Sequence, residues 1–244
     1  DIYKYMRLDL YLSKNFDIQS RNKALELILS NKVRVDGKVV SKASFLVDEK
    51  MKIELLEEDF YVSRAAYKLK YFLDELKNKN EINLKDKIAL DIGSSTGGFT
   101  QILLEFDIQK VVCVDVGTNQ LHEKIKKDNK IEFFENCDIR DFKSDISFDI
   151  VTCDVSFISI LKIIDSINSL DFKNIIILFK PQFEVGTGVK RDKKGVVKDK
   201  NAILKAKENF LSKAFSLNWK LNYNSISKLV GKDGNKEEFF YFNK

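Results

Sequence analysis

Leu90-Asp91-Ile92-Gly93-Ser94-Ser95-Thr96-Gly97-Gly98-Phe99-Thr100 is the stretch that decides the fold. The apolar run Ile88-Ala89-Leu90 leading into it reads as a buried strand. Phe99-Thr100-Gln101-Ile102-Leu103-Leu104 reads as the start of a helix. A strand, a glycine-rich turn and a helix N-terminus together make a nucleotide site. Glycines let the backbone turn tightly and approach a ligand closely, and the free N–H groups of the helix end point at it. The spacing is D-x-G-x-x-x-G-G, which is not the G-x-G-x-x-G of dinucleotide sites and lacks the Gly-Lys-Ser/Thr ending of a P-loop. A glycine-rich turn in some other α/β protein is the competing reading, because a local match does not fix function.

Outward from this loop, apolar strand-like and amphipathic helical segments alternate. Strands are expected near residues 87–92, 110–115, 131–135, 148–154 and 174–179, and helices near 98–106, 119–127, 158–168 and 200–217. Such alternation implies a parallel sheet covered on both faces. Two late runs, 219–226 and 237–242, alternate without an intervening helix and suggest a hairpin-like end to the sheet. The arrangement resembles that of class I S-adenosylmethionine (SAM) methyltransferases, and the glycine loop resembles their first motif. The expected fold class is therefore α/β, a Rossmann-like methyltransferase domain over residues 59–244. Asp115 ends the second strand, where a carboxylate can take both hydroxyls of a ribose; a helix N-cap is the alternative. After the third strand come Asn136-Cys137-Asp138-Ile139. In that class the acid here contacts the adenine amino group and its neighbour packs on the ring, a plain turn being the alternative. The resemblance thus implies SAM as cofactor, held by Asp91, Gly93, Ser95, Thr96, Gly98, Phe99, Asp115, Val116, Asp138 and Ile139.

The first 58 residues have a different grammar. A short amphipathic helix is expected from Arg7 to Ser13, then a second helix capped by Ser20 and ended at Asn31. Val33-Arg34-Val35 alternates as a strand, Asp36-Gly37 is a hairpin turn signal, Lys38-Val39-Val40 returns, and Met51-Lys52-Ile53-Glu54-Leu55 gives another alternating strand. Between residues 7 and 46 there are eight Lys or Arg against four Asp or Glu, so most of the net charge of +5 falls in a sixth of the chain. Such a patch favours phosphates and structured RNA, a lysine-rich solvated face being the bland alternative. The order of R-L-D, Ser20-Arg21, V-x-V-x-G-K and Lys42-Ala43-Ser44 resembles the S4 RNA-binding domain. That resemblance implies a small α+β unit using Arg7, Arg21, Lys23, Lys32 and Lys42, joined by Arg64 beyond the acidic linker Glu57-Glu58-Asp59.

Other signals narrow the function class. The three cysteines, Cys113, Cys137 and Cys153, form no C-x-x-C and read as buried packing residues of a reduced, cytoplasmic compartment. No metal-ligand spacing is legible. A single histidine, His122, placed to face solvent or a cofactor sugar, gives little support to zinc or Ser-His-Asp hydrolysis. No run approaches the ~18 apolar residues of a membrane span, and no secretory signal is visible. Residues 182–200 hold Gly186, Gly188 and Gly195 with Lys190, Arg191, Lys193 and Lys194, and read as a mobile basic loop.

Two charged residues close apolar strands. Asp154 ends Phe148-Asp149-Ile150-Val151-Thr152-Cys153, and Lys180 follows Ile175-Ile176-Ile177-Leu178-Phe179. A buried lysine charge is costly unless paired, so Asp154 and Lys180 are expected to pair in one crevice, within reach of Lys68 and Glu237. Ser63-Arg64-x-x-x-Lys68-Leu69, the glycine loop, Val114-Asp115-Val116-Gly117, Cys153-Asp154-Val155-Ser156-Phe157-Ile158-Ser159, Lys180-Pro181-Gln182-Phe183-Glu184 and Gly195-Val196-Val197 stand in the order of the TlyA family. With the S4 segment the resemblance spans nearly the whole chain. It implies an FtsJ/RrmJ-like 2′-O-methyltransferase acting on cytidines of ribosomal RNA, with a ribosomal subunit as partner and a Lys-Asp-Lys-Glu tetrad at Lys68, Asp154, Lys180 and Glu237. Glu238 competes with Glu237 for the fourth place. The short C-terminus resembles members that modify only the large subunit. A ribose hydroxyl is a poor nucleophile until its proton is being removed, and neutral Lys180 is the candidate base. A non-catalytic RNA-binding or ribosome-assembly factor and a membrane-active haemolysin are the rival readings.

Overall fold

The computed structural model describes residues 5–16, 18, 20–56 and 61–244; the acidic join 57–59 lies outside them. The chain divides into two compact units, Asp1–Phe60 and Tyr61–Lys244.

The first unit runs β1 (Met6–Arg7), α1 (Leu8–Asn15), α2 (Arg21–Leu29), β2 (Val33–Val35), β3 (Lys38–Val39), β4 (Leu46–Val47) and β5 (Ile53–Leu55). Leu8, Leu12, Ala24, Leu27 and Ile28 from the two helices pack with Val33, Val35 and Val47. Ser20 caps α2 by accepting from the Lys23 N–H at 3.2 Å. Asn31, at φ +59°, turns the chain out of the helix. Asp36 and Gly37, at φ +49° and +77°, form the tight turn that sets Val35 opposite Lys38. Arg7 is not helical as expected: it pairs with Leu46 in a two-residue ladder, too short to leave a period in the sequence.

The second unit runs α3 (Arg64–Asn78), β6 (Ile88–Ile92), α4 (Gly98–Glu105), β7 (Lys110–Val114), α5 (Glu123–Lys126), β8 (Ile131–Phe134), β9 (Phe148–Cys153), a 3-10 turn (Ile160–Lys162), α6 (Ile164–Asn168), β10 (Phe172–Phe179), α7 (Pro181–Glu184), α8 (Lys200–Ser216), β11 (Lys220–Ile226) and β12 (Glu238–Asn243). Its sheet has the order β11-β12-β10-β9-β6-β7-β8, parallel from β10 to β8 and antiparallel at β12 and β11. The expected hairpin therefore forms, with β12 inserted between β11 and β10.

Strand residues alternate between two cores because successive side chains point to opposite faces. Leu90, Ile92, Val151, Ile177 and Phe179 face the layer of α6 and α8, where Ile164, Ile167 and Phe210 lie. Ala89, Ile150, Ile176, Leu178 and Phe239 face α3 and α4, where Leu69, Phe72, Phe99 and Ile102 lie. Each fully buried side chain of this size contributes about 1.5–3 kcal/mol over its exposed state. Two expected helices are shorter than the pattern suggested. The segment 119–127 is helical only over Glu123–Lys126, and 158–168 breaks into the 3-10 turn and α6.

Candidate active site

β6 passes into α4 through the glycine loop. Gly93 has φ +76°, and a Cβ there would stand 2.7 Å from the Asp154 carbonyl oxygen, so only glycine lets the loop lie against the end of β9. Gly97 takes the N-cap of α4 at φ +92°. Gly98 abuts Ser63: a Cβ at Gly98 would fall 2.1 Å from the Ser63 Oγ. Ser63 stands at the N-cap of α3, but its side chain makes no capping bond; the hydroxyl instead fits against the loop.

A cavity of about 320 Å³ opens over the carboxyl ends of β6, β7 and β9, lined by Gly93, Asp115, Val116, Asp138, Ile139 and Phe157 among others. The carboxyl edge of an open α/β sheet is where ligands bind. Asp115 is fixed there, its two oxygens accepting from the Ser95 N–H at 2.8 Å and the Gly117 N–H at 2.6 Å. Asp138 is gripped by Arg140, whose guanidinium reaches it at 2.7 and 3.0 Å and holds its carboxyl below the usual range. A second, smaller hollow of about 160 Å³ is lined by Ser63, Ser95, Thr96, Gly98, Phe99, Asp154, Ser156 and Lys180. Phe157 lines the larger cavity with its ring almost wholly exposed, at φ +66°, a strained setting for an aromatic residue, and 5.2 Å from Phe183.

Of the expected cofactor residues, Asp91 departs from expectation. It is fully buried beneath the loop and lines neither hollow. Its oxygens accept from the hydroxyls of Thr100 at 2.6 Å and Thr152 at 2.8 Å, tying α4 to β9. Burial raises its carboxyl to about 6, against the lowering effect of the two hydroxyls and with help from the Asp154 charge. Cys137 also departs: it is half-buried and lines the larger cavity, whereas Cys113 and Cys153 are buried as expected. His122 does not line the cavity; its Nδ1 accepts from the Lys124 N–H at the start of α5.

The tetrad candidates form two buried ion pairs. Lys180 Nζ lies 2.6 Å from Asp154 Oδ1 and donates to Ser156 Oγ at 2.9 Å. Lys68 Nζ lies 2.6 Å from Glu237 Oε2. The alternation of β12 separates the two neighbouring glutamates. Phe179 and Glu238 are register partners on the α8 face, where Glu238 meets Lys207 and Asn224. Glu237 turns to the opposite face, towards Lys68 on α3. Asp154 Oδ1 carries no hydrogen bond; its contact with Lys180 is one of charge.

Sequence reasoning assigned no role to two residues that complete the setting. Ser156, two positions past Asp154, shares the Lys180 ammonium. Glu184 accepts from Ser159 Oγ at 2.6 Å and the Ile160 N–H at 3.0 Å, clamping the segment beyond Asp154 to α7. Ser156 could have been found from its place beside the acid at a strand end, and Glu184 from its place closing the motif that begins at Lys180. The expected basic loop is bound to itself: the Arg191 guanidinium donates to the carbonyls of Gln182, Gly186 and Val189.

In the first unit, Arg7 and Arg21 converge on the buried Asp9 at 3.0 and 2.9 Å while their own side chains stay half-exposed. The Arg7 guanidinium, helped by Arg21 and opposed by burial, holds the Asp9 carboxyl down to about 2. Lys23 pairs with Glu26 at 3.5 Å, Lys42 is exposed and Lys32 is half-buried. Arg64, in the second unit, donates to the Val230 carbonyl at 3.3 Å. Among the described residues no helix is long and apolar enough to cross a membrane.

Known proteins share both units. The family profile described as FtsJ-like methyltransferase matches residues 61–244, and that of the S4 domain matches residues 6–53. A 23S rRNA (cytidine-2′-O)-methyltransferase TlyA from Campylobacter jejuni is 48% identical, the match covering 97% of this chain and 99% of the relative. A 16S/23S rRNA (cytidine-2′-O)-methyltransferase TlyA from Mycobacterium tuberculosis is 32% identical over 96% of this chain and 88% of its own length. A solved structure described as a hemolysin from Streptococcus thermophilus superposes with a TM-score of 0.71 at 28% identity, covering 98% of this chain and 88% of that one. The glycine loop under a mostly parallel sheet, the paired lysines at its carboxyl edge and the preceding S4 domain place this chain in the TlyA family of FtsJ-like methyltransferases.

Proposed function

We infer that this protein transfers a methyl group from SAM to the 2′-hydroxyl of a cytidine ribose in ribosomal RNA, in the cytoplasm, with the large-subunit RNA as its main substrate. The observation that carries the reading is the pair of buried Lys–carboxylate contacts, Lys180–Asp154 and Lys68–Glu237, at the carboxyl edge of a sheet that also bears a glycine-loop cavity. The cavity fits the cofactor chemically: Gly93 leaves backbone room, Asp115 presents a fixed carboxylate to ribose hydroxyls, and Val116 and Ile139 offer apolar faces to a base. When bound, SAM supplies an electrophilic methyl group on a sulfonium. The chain's own residues do the rest.

Lys180 is the base placed to take the ribose proton as the oxygen attacks. Asp154 holds the amine from one side and Ser156 from another, so its direction is set before substrate arrives. Glu237 fixes the buried Lys68, which helps hold the target nucleotide. Phe157, exposed at the cavity, gives an unpaired base a ring to stack on. Residues 1–58 dock the RNA through Arg7, Arg21, Lys23, Lys32 and Lys42, and residues 59–244 carry the chemistry.

The test is transfer of labelled methyl from SAM into rRNA of isolated large and small subunits, with Lys180→Ala as control. Label in wild-type reactions that vanishes in the variant, while the variant still binds SAM, is the expected result. SAM binding without label on any ribosomal RNA would refute the enzymatic reading in favour of a non-catalytic factor. Removal of residues 1–60 is expected to weaken RNA binding and leave SAM binding intact.

A further inference from the structure

A second large cavity lies at the same carboxyl edge of the sheet but on its α8 face. It encloses about 380 Å³, and Phe179, Val197, Ile203 and Ile226 supply apolar wall. The alternation of β10 and β12 explains its position. Lys180 turns to the α3 face, Phe179 and Glu238 turn to the other, and Glu237, paired with Lys68, also borders this cavity, so the ends of the two strands form a wall between the reaction site and this cavity. From β9, which ends just before Asp154, to β12, which begins just after Glu237, is two strand spacings, about 10 Å.

Lysines surround the cavity. Lys207 is taken up by Glu238 and Lys198 lies 3.4 Å from Asp192, but Lys200 and Lys236 are exposed and have no carboxylate partner among the described residues. Ile226, at the end of β11, leaves 61% of its surface open although it lines the cavity. An apolar slot with two uncommitted ammonium groups matches a nucleotide: a flat base between aliphatic walls and a phosphate at the cations.

We propose that this cavity holds a nucleotide of the substrate RNA strand next to the one being methylated, its base in the slot beside Ile226 and Phe179 and its phosphate at Lys200 and Lys236. The proposal rests on the rRNA reading above. It makes the wall of Lys180 and Glu237 a divider across which the strand passes, target ribose on one side and neighbouring base on the other.

Two full-length variants test it, with large-subunit rRNA as probe. In Lys200→Gln/Lys236→Gln, RNA affinity is expected to fall about tenfold, and the dependence of log affinity on log salt to flatten by roughly 0.7–0.9, the amount one lost phosphate contact removes. In Ile226→Trp, which fills the slot without changing charge, KM for rRNA is expected to rise several-fold with the salt dependence unchanged. Both variants are expected to bind SAM as the wild type does, which reports that the second unit is folded. Wild-type KM in Ile226→Trp, even with weakened binding in the lysine variant, would overturn the proposal and leave only general attraction to the phosphate backbone. Absence of methylation by the wild type would instead refute the enzymatic reading itself.

Discussion

Replacing Asp91 by asparagine isolates the cost of a charge buried under the glycine loop. The carboxyl is fully buried and ionises at about 6 in the fold, against an ordinary 3.8. A carboxyl whose value is raised by folding weakens the fold as pH rises between the two values, because there the unfolded chain has released a proton that the native one still holds. At about 1.36 kcal/mol per pKa unit, the cost is about 1 kcal/mol at pH 4.5 and about 3 kcal/mol at pH 8. Asp91→Asn removes the ionisation while an amide can still exchange hydrogen bonds with Thr100 and Thr152, which stand at 2.6 and 2.8 Å. Stability of the variant minus that of wild type is thus expected to rise by about 2 kcal/mol from pH 4.5 to pH 8. The single tryptophan, Trp219, is buried in the second unit, so urea unfolding followed by its fluorescence reads that unit alone. A difference that stays flat with pH would refute the reasoning and mean that Asp91 ionises in the fold as it does in the open chain.

Gly93→Ala is expected to lower SAM affinity by more than tenfold, since its Cβ meets the Asp154 carbonyl at 2.7 Å and φ is +76°; calorimetric titration with SAM checks this, and wild-type affinity would count against the loop packing. Glu237→Gln is expected to abolish methyl transfer and Glu238→Gln to spare most of it, because only Glu237 holds Lys68; the reverse order in the labelled-SAM assay would reassign the fourth tetrad position. Asp9 sits below its ordinary value, so its contribution to the first unit is present above about pH 4 and is lost as pH falls towards 2. Circular dichroism of wild type and Asp9→Asn is therefore expected to converge in acid and differ at neutral pH.

Much of this was legible because local signals and tertiary demands agree. Ser20 caps α2, Asp36-Gly37 makes a turn, and the apolar runs before Asp154 and Lys180 are strands that end where the charged residues begin. Other features depend on partners far along the chain. The β1–β4 ladder joins two residues to two and leaves no pattern. Asp91 reads as a loop acid, but only the packing of α4 and β9 above it shows that two threonine hydroxyls occupy its oxygens. Glu237 and Glu238 are equivalent on paper, and the register of β12 against Phe179 decides which face each takes. Ser156 and Glu184 acquire their partners from segments about 25 residues away, beyond the reach of any local spacing rule.

The pairing of Lys68 with Glu237 spans 169 residues of sequence. Contacts of such separation form late, because the entropy of closing the intervening chain must be met before the contact stabilises anything. The glycine loop and α4, by contrast, are built from residues within one short segment. Glu237 immediately precedes β12, so the pairing of that one strand between β10 and β11 is what carries Glu237 to Lys68 across almost the whole length of the second unit.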